Sequence, residues 1–151
     1  MRIIPSVICY VEKEGKFLLL RREKPPDRGK YVAPGGKIKM GEELYEAVKR
    51  EVKEETGLNI DRLKYIGTTF HYEEEKTWIV FVFYTRYFKG KIKETREGPL
   101  FWFSKEEILG LDLPPGDRYF LTYVFNKELF FGTFWYNKRG ELIQYKVQKV
   151  G

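Results

Sequence analysis

Residues 35–58 read GGKIKMGEELYEAVKREVKEETGL, and this stretch decides how the chain folds. We predict a helix over residues 42–55, because acidic residues crowd its first turn, where negative charge interacts favourably with the helix dipole. Gly57 follows the last predicted turn, as is common for a helix C-terminal cap. The segment therefore predicts one helix with a defined end.

On a wheel of about 100° per residue, this helix carries charge on two sides rather than one. The apolar stripe that should face the core consists of Leu44, Ala47 and Val48. The opposite side holds the expected solvent-facing residues, Glu42, Glu46, Lys49 and Lys53. Glu51, Glu54 and Glu55 instead lie within roughly 75° of the centre of the apolar stripe, so three carboxylates are predicted to face the body of the protein.

Three carboxylates in such a position have two interpretations. The charged end of the helix could curl over the edge of the core into water. Alternatively, a hard cation could neutralise the cluster, since like charges repel and desolvation of a carboxylate is costly. Mg²⁺ suits the second interpretation, because it takes oxygen ligands and binds through a few carboxylates together with substrate phosphates.

The same stretch matches the Nudix signature G-x5-E-x7-R-E-U-x-E-E-x-G-U, in which U is a bulky aliphatic residue. The matching positions are Gly36, Glu42, Arg50, Glu51, Val52, Glu54, Glu55, Gly57 and Leu58. The chain therefore resembles the Nudix hydrolases, metal-dependent enzymes that cut a diphosphate linkage in nucleoside-diphosphate substrates. The resemblance implies an α/β fold in which a mixed β-sheet is sandwiched between helices (α/β/α). It also implies a single Nudix hydrolase domain over residues 1–151.

The resemblance implies a divalent-metal site, with Mg²⁺ as the expected ion and Mn²⁺ as the alternative. By position in the signature, Glu51 and Glu55 are the expected ligands, helped by Glu54 and the backbone carbonyl of Gly35. Glu97, in the stretch ETREGPLFWF, matches a further ligand, and an ordinary loop glutamate is the alternative.

Catalytic roles follow from the same resemblance. Arg50 matches a residue that orients the glutamates through a salt bridge, and an ion pair with Glu46, one helical turn earlier, is the alternative. Glu54 is the predicted general base that takes the proton from the attacking water, with Glu51 as the next candidate. Attack on a nucleoside triphosphate would release pyrophosphate and a monophosphate.

The stretch LPPGDRYFLTYVFNKELFFGTF is similar to the MutT-related branch, which clears oxidised purine nucleoside triphosphates such as 8-oxo-dGTP. Asp117 matches an acidic position that reads the purine edge, and a helix N-cap is the alternative. Arg22 and Ser6 lie where that branch lines its substrate pocket, although Arg22 also fits a surface charge. The chain departs from the branch at Val32, which replaces a base-contacting asparagine, and at residues 113–115, where a stacking tryptophan is missing.

Composition limits the other classes of function. The net charge is +6, but basic and acidic residues are interleaved, which argues against an extended nucleic-acid track. The lone cysteine, Cys9, lies in an apolar run and is expected to be a small buried side chain rather than a nucleophile. No apolar stretch approaches the roughly 20 residues of a membrane span. We expect a cytoplasmic protein, a monomer or homodimer, whose partner is a small nucleotide and neither nucleic acid nor membrane.

Three alternatives remain at this point. The substrate could be ADP-ribose, a dinucleoside polyphosphate or a nucleotide sugar. The chain could be a Nudix-fold nucleotide-binding module without catalysis. It could also bind RNA or single-stranded DNA, as its basic charge and its aromatic content of 17% allow.

Aromatic residues could supply a surface on which a nucleobase stacks, or they could pack in the core. The candidates are Tyr10, Phe70, Tyr72, Trp78 and Trp102. His71, the only histidine, is expected to line the pocket. Strands are predicted over residues 3–11, 17–22, 78–88, 99–103, 129–136 and 141–147. Short helices are predicted after Ser104, from a capping-box pattern, and over residues 117–126.

Overall fold

The computed structural model describes all 151 residues, Met1 to Gly151. Strands, three α-helices and one short 3₁₀ helix follow one another along the chain. The elements are β1 (Arg2–Lys13), β2 (Lys16–Arg21), β3 (Tyr31–Val32), β4 (Gly35–Lys37), α1 (Leu44–Thr56), β5 (Asn59–Asp61), β6 (Lys64–Tyr72), β7 (Lys76–Thr85), β8 (Tyr87–Lys89), β9 (Leu100–Ser104), α2 (Lys105–Leu109), the 3₁₀ helix (Asp117–Tyr119), α3 (Leu121–Asn126), β10 (Phe130–Tyr136) and β11 (Leu142–Lys149).

Nine strands form one mixed sheet in the order β11-β10-β6-β7-β1-β2-β3, with β4 paired to β1 and β9 paired to β2. The pairs β1–β7 and β6–β10 are parallel, and the other pairs are antiparallel. Strands β5 and β8 form a separate two-stranded sheet. Because β1 pairs with β7 on one side and with β4 on the other, it carries the loop before α1 next to the centre of the sheet.

Two apolar cores lie on opposite faces of this sheet, because successive side chains of a strand point in opposite directions. Val7, Cys9 and Val11 of β1 pack with the buried side of α1. Tyr10 packs with side chains of α2 and α3. The predicted sandwich of helices around a mixed sheet is therefore confirmed. Cys9 is fully buried, which raises the pKa of its thiol and confirms the expected structural role.

Helix α1 begins two residues later than predicted. The reason is that Glu43 is the N-cap, with an extended backbone, and its carboxylate accepts a hydrogen bond from the Tyr45 N–H. At the other end Gly57 has a left-handed φ of 85°, and its N–H donates to the carbonyl of Lys53. The predicted glycine cap is therefore confirmed. Glycine suits this position because a left-handed φ is strained for residues that carry a Cβ.

Three predictions outside α1 rest on local sequence patterns, and the structure confirms one of them and corrects the bounds of the other two. The capping box is confirmed, because the Ser104 hydroxyl accepts from the Glu107 N–H at 3.2 Å and the Glu107 carboxylate accepts from the Ser104 N–H at 2.8 Å. The strand predicted over 78–88 is instead two strands, interrupted at Arg86. The helix predicted over 117–126 is a 3₁₀ turn followed by α3.

Strand β6 is central to the sheet but was not predicted as a strand. Gly67 weakens its apolar pattern, and a bulge lies between Tyr65 and Gly67. A Cβ at Gly67 would clash with Phe130 of β10, so the glycine allows the close approach of the two strands. The predicted hairpin of β10 and β11 is confirmed. None of the helices is both long enough and apolar enough to cross a membrane.

Candidate active site

A cleft of about 660 Å³ opens on the sheet face opposite the middle of α1. Its floor comes from β1, β6 and β7, and one end comes from β4 and the last turns of α1. The other end comes from the loop between β2 and β3, the segment just before the 3₁₀ helix and the 3₁₀ helix itself. The two ends have different chemistry. We call the first the carboxylate end, which is lined by Glu51, Glu55 and Glu97, and the second the base end, which is lined by Asp27, Asp117, Val32 and Pro115.

The paired glycines before α1 provide space at the carboxylate end. A Cβ at Gly36 would clash with the Glu51 carboxylate, and a Cβ at Gly35 would clash with the backbone carbonyl of Val7. The N–H of Gly35 donates to Glu55 Oε1 at 2.8 Å. The side chains of Glu51 and Glu55 on α1 therefore lie directly against β4, at two positions where only glycine leaves enough room.

Arg50 holds the acidic side chains together. Its Nε donates to Glu42 Oε2 at 2.6 Å and its Nη2 to Glu42 Oε1 at 2.9 Å. Its Nη1 donates to Glu51 at 2.7 Å and to Glu54 at 3.2 Å. These hydrogen bonds lower the pKa of Glu42 to about 2. The ion pairs of Arg50 do not include Glu46, so the simple helix-surface pair is not formed.

The carboxylates that face the cleft are in an environment that penalises their negative charge. Burial, followed by the charges of Glu51 and Glu97, raises the pKa of Glu55 to about 7, against the hydrogen bond from Gly35. Burial also raises the pKa of Glu51. A hard cation fits this donor set, because it would offset the repulsion and take the oxygen ligands it prefers. The side chains do not form a ready-made cage, since no group of three acidic, histidine or cysteine residues is spaced to hold a metal.

Glu54 does not join this group. Its side chain is 54% exposed and does not line the cleft. The prediction that three carboxylates face the body of the protein is therefore wrong for Glu54. The reason is that Val52 and Thr56 are buried, which turns the inward stripe away from Glu54 at the end of α1.

Glu97 reaches the cleft from a distant part of the sequence. Its turn is fastened to the end of β2, since the Glu23 N–H donates to the Glu97 carbonyl at 3.0 Å. A Cβ at Gly98 would clash with the carbonyl of Arg21, so the glycine permits this contact. Glu97 lies close enough to Glu55 for its charge to raise the pKa of that carboxyl.

Asp117 lies at the base end, as the first residue of the 3₁₀ helix. Neither this helix nor α3 has a side-chain cap, so the N-cap alternative is wrong. Burial, followed by the charge of Asp27, raises the pKa of Asp117 to about 7. The side chain of Asp117 is thus free to contact a ligand.

His71 lines the cleft, as predicted, and is held in place on three sides. Its Nδ1 lies 2.8 Å from the Tyr136 hydroxyl and its Nε2 lies 2.9 Å from the Thr69 hydroxyl. Its ring stacks on Phe134 at 5.1 Å. Burial lowers the pKa of His71 to about 4, so the ring is neutral at physiological pH.

Of the five aromatic candidates, only Trp78 lines the cleft. Tyr10 is a core residue, and Trp102 stacks on Phe88 in the other core. Tyr72 stacks on Trp135 away from the cleft, which Phe70 does not line either. Trp78 is flanked by the ammonium groups of two lysines, at 5.8 Å and 5.5 Å from its ring centre, which belong to Lys37 and Lys76.

Arg22 and Ser6 both line the cleft. Arg22 is only partly exposed and its Nε donates to the carbonyl of Pro26 at 2.7 Å, so it is not a free surface charge. Ser6 is 5% exposed, and its hydroxyl has no hydrogen-bond partner. An unpaired buried hydroxyl is uncommon, and this one is available to bind a ligand in the cleft.

Sequence reasoning missed several polar residues of this cleft, namely Asp27, Thr69 and Tyr136 together with the charged residues Lys37, Glu73 and Lys76. The only sequence feature at Asp27 was its position in a proline-containing loop, which does not predict a functional residue. Tyr136 meets His71 through the parallel pairing of β6 and β10, which has no local signature. Thr69 contacts His71 from two residues earlier on β6.

Comparisons with known proteins agree with this architecture. A family model described as the NUDIX domain matches residues 2–124. An uncharacterized Nudix hydrolase of Bacillus subtilis (strain 168), YvcI, is 34% identical over 146 residues, which cover 92% of this chain and 90% of that protein. The oxidized purine nucleoside triphosphate hydrolase of Mus musculus is 28% identical over 145 residues, which cover 95% of this chain and 93% of that protein. The crystal structure of a MutT protein from Bacillus halodurans has a TM-score of 0.87 and 34% identity, covering 96% of this chain and 97% of that one.

Proposed function

The chain belongs to the Nudix hydrolase family, and from that membership we propose that it hydrolyses a nucleoside triphosphate to a monophosphate and pyrophosphate. One observation carries the proposal. Glu51 and Glu55, both with raised pKa values, face one cleft together with Glu97, and Arg50 and the paired glycines hold them there. Arg50 pairs with Glu51, but Glu55 and Glu97 form no ion pair, so negative charge remains at the place where a metal–triphosphate complex would bind.

The residues that would hold a divalent cation are Glu51, Glu55 and Glu97, with the Gly35 carbonyl and Glu54 as further oxygen donors. When bound, the cation would screen the phosphate charge and make water a stronger nucleophile. The chain itself supplies the positioning. Arg50 keeps the Glu51 carboxylate at 2.7 Å from its guanidinium, so that this carboxylate stays at the edge of the cleft.

A general base must take one proton from the attacking water. The sequence favoured Glu54, but that side chain is 54% exposed. We therefore place Glu51 first, since it lines the cleft and Arg50 holds its carboxylate there. Arg22 lies in the same wall as Glu55 and would bind the phosphate chain through its guanidinium.

The proposed substrate is a purine nucleoside triphosphate, with an oxidised purine such as 8-oxo-dGTP as the first compound to test. Asp117 supports this choice, because its free carboxyl group faces the base end of the cleft. The name of the mouse relative points in the same direction. The departures at Val32 and Pro115 count against an oxidised purine in particular, because the apolar wall there supplies no amide that could hydrogen-bond to the base.

The test is to incubate the pure protein with Mg²⁺ and a nucleotide panel and to separate the products. The panel contains ordinary and oxidised purine triphosphates, ADP-ribose and a diadenosine polyphosphate. We expect pyrophosphate and a monophosphate, released fastest from a purine triphosphate. Faster turnover of ADP-ribose or of the dinucleotide would replace the substrate. No turnover of any compound would favour a binding module.

A further inference from the structure

The loop between β2 and β3 presents an unusual residue to the cleft. Asp27 has a φ of 62°, a left-handed conformation that is uncommon for a residue other than glycine. The loop is closed by its own hydrogen bonds, from the Gly29 N–H to the Arg22 carbonyl at 2.7 Å and from the Lys30 N–H to the Asp27 carbonyl at 2.9 Å. Strained backbone of this kind tends to persist at functional sites.

The carboxylate of Asp27 has no partner of its own. The lysine nearest to it along the loop, Lys30, instead binds Asp112 at 2.9 Å. The Arg22 guanidinium donates to the carbonyl of Pro26 rather than to a carboxylate. Asp27 is partly buried and lines the cleft, and burial raises its pKa. The loop therefore delivers an unpaired carboxyl group to the base end.

A second unpaired carboxyl group faces the same space from the 3₁₀ helix. Asp27 lies close enough to Asp117 for its charge to raise the pKa of Asp117. The other polar groups nearby, His71 and Tyr136, are already bonded to each other. Beside β4, towards the carboxylate end of the same cleft, the buried hydroxyl of Ser6 is also unpaired, which is an independent sign that the cleft holds a ligand.

We propose that Asp27 is a second base-reading residue, which acts with Asp117 to accept hydrogen bonds from neighbouring N–H groups of a guanine-type base. A carboxyl group only accepts hydrogen bonds once it is ionised, so a base edge on which a ring N–H and an exocyclic amine lie side by side would bind the ionised pair and offset the repulsion between the two groups. Hypoxanthine lacks that amine, and the corresponding ring nitrogen of adenine is an acceptor that a carboxylate repels. The inference rests on the proposed function, because it names the base that the same cleft selects.

The experiment compares KM and kcat for guanosine, inosine and adenosine triphosphates in the presence of Mg²⁺. The variants are Asp27→Asn and Asp27→Gly, and glycine adopts the observed φ without strain. Glu23→Gln is the matched control, because it removes the same charge from the start of the same loop, where the side chain is 56% exposed. Thermal unfolding checks that each variant is folded.

We expect the unaltered protein to prefer guanosine over inosine triphosphate by about tenfold or more in kcat/KM, the effect of one lost hydrogen bond to a charged group. Both Asp27 variants should reduce this preference to less than about threefold, mainly through KM, because Asp27 contacts the base and not the phosphates. Glu23→Gln should keep the full preference. A general loss of structure would lower kcat/KM for both nucleotides. A gain for inosine triphosphate relative to guanosine triphosphate therefore identifies a change in base selectivity.

Two results would overturn the inference. One is an unaltered protein that does not distinguish guanosine from inosine triphosphate, and the other is a preference that survives in both Asp27 variants. These results are distinct from failure of the proposed function, in which no triphosphate is hydrolysed at all. In that case equilibrium binding of the same nucleotides to the same variants decides whether Asp27 reads the base.

Discussion

The two ends of the cleft differ in how the chain builds them. The carboxylate end comes almost entirely from one stretch, residues 35–58, in which a strand, a turn and a helix bring Gly36 against Glu51. The base end combines the β2–β3 loop, β6, the 3₁₀ helix and β10, which meet only in the folded protein. The type of chemistry can be predicted from the sequence because its residues are neighbours along the chain. The choice of substrate cannot, because the residues of the base end meet only in the folded protein.

The ends also differ in how firmly their side chains are held. Arg50 donates to Glu51 and the Gly35 N–H donates to Glu55, so these two carboxylates have defined positions. Asp27 and Asp117 form no ion pair. The charges of Arg22 and Lys30 near Asp27 and of Arg118 near Asp117 offset only part of the repulsion between the two carboxyl groups. We therefore expect changes at the carboxylate end to reduce turnover, and changes at the base end to alter selectivity and stability.

The greatest loss of activity is expected from Glu51→Gln. We predict that kcat falls by about a hundredfold or more, the combined effect of a lost general base and of weaker binding of the cation, while the melting temperature changes little. The measurement is steady-state turnover of the best triphosphate with Mg²⁺. Glu46→Gln, on the exposed side of the same helix, is the control and should turn over normally. Equal turnover in both variants would contradict the difference between the cleft-facing and solvent-facing sides of α1.

The next greatest loss is expected from Gly36→Ala. The added Cβ would clash with the Glu51 carboxylate, and displacement of a catalytic group by about 1 Å can cost roughly a hundredfold in rate. Gly110→Ala is the matched control, because its Cβ would meet nothing closer than 3.6 Å. A fully active Gly36→Ala protein would show that Glu51 does not need its position against β4.

Glu54→Gln separates two roles within the carboxylate end. Its side chain is half exposed, so we predict a loss of kcat at least about tenfold smaller than that of Glu51→Gln. The sequence alone predicts the reverse order, with Glu54 as the base. A larger loss in Glu54→Gln than in Glu51→Gln would restore the sequence-based choice.

The smallest effect concerns stability at the base end. The folded pKa of Asp117 is raised to about 7, so ionisation of this group opposes folding, and its contribution to stability is lost as the pH rises from about 4 to 7. Asp117→Asn, in the absence of nucleotide, should therefore melt about 2–4 °C higher than the unaltered protein at pH 8, the shift expected of about 1 kcal/mol in a chain of this size. The advantage should disappear near pH 4. A difference in melting temperature that does not depend on pH would argue against a raised pKa of Asp117 in the folded protein.

Much of the fold was predictable because its signals are local. The helix of the signature, its glycine cap, the capping box at Ser104 and the closing hairpin all depend on residues a few positions apart. Strand β6 was missed because Gly67 weakens its apolar pattern. This glycine allows a close contact with Phe130, which lies far along the chain. Local patterns do not record such contacts.

The site followed the same rule. The spacing of the signature placed Glu51 and Glu55 correctly beside the cleft, but a wheel centred on the first half of α1 misplaced Glu54. Asp27 could not be found from its neighbours, because its position depends on a left-handed backbone and on a loop that packs near Asp117.

The division of the cleft into two ends is best tested by a titration with Mn²⁺, used as a spectroscopic probe for the divalent site, in the absence of nucleotide. The proteins to compare are the unaltered chain, Glu51→Gln and Asp117→Asn. We predict that Asp117→Asn binds the ion as the unaltered protein does, and that Glu51→Gln binds it about 10–100-fold more weakly. Unchanged binding in Glu51→Gln, or equal weakening in both variants, would contradict a division of the cleft into a metal-binding end and a base-reading end.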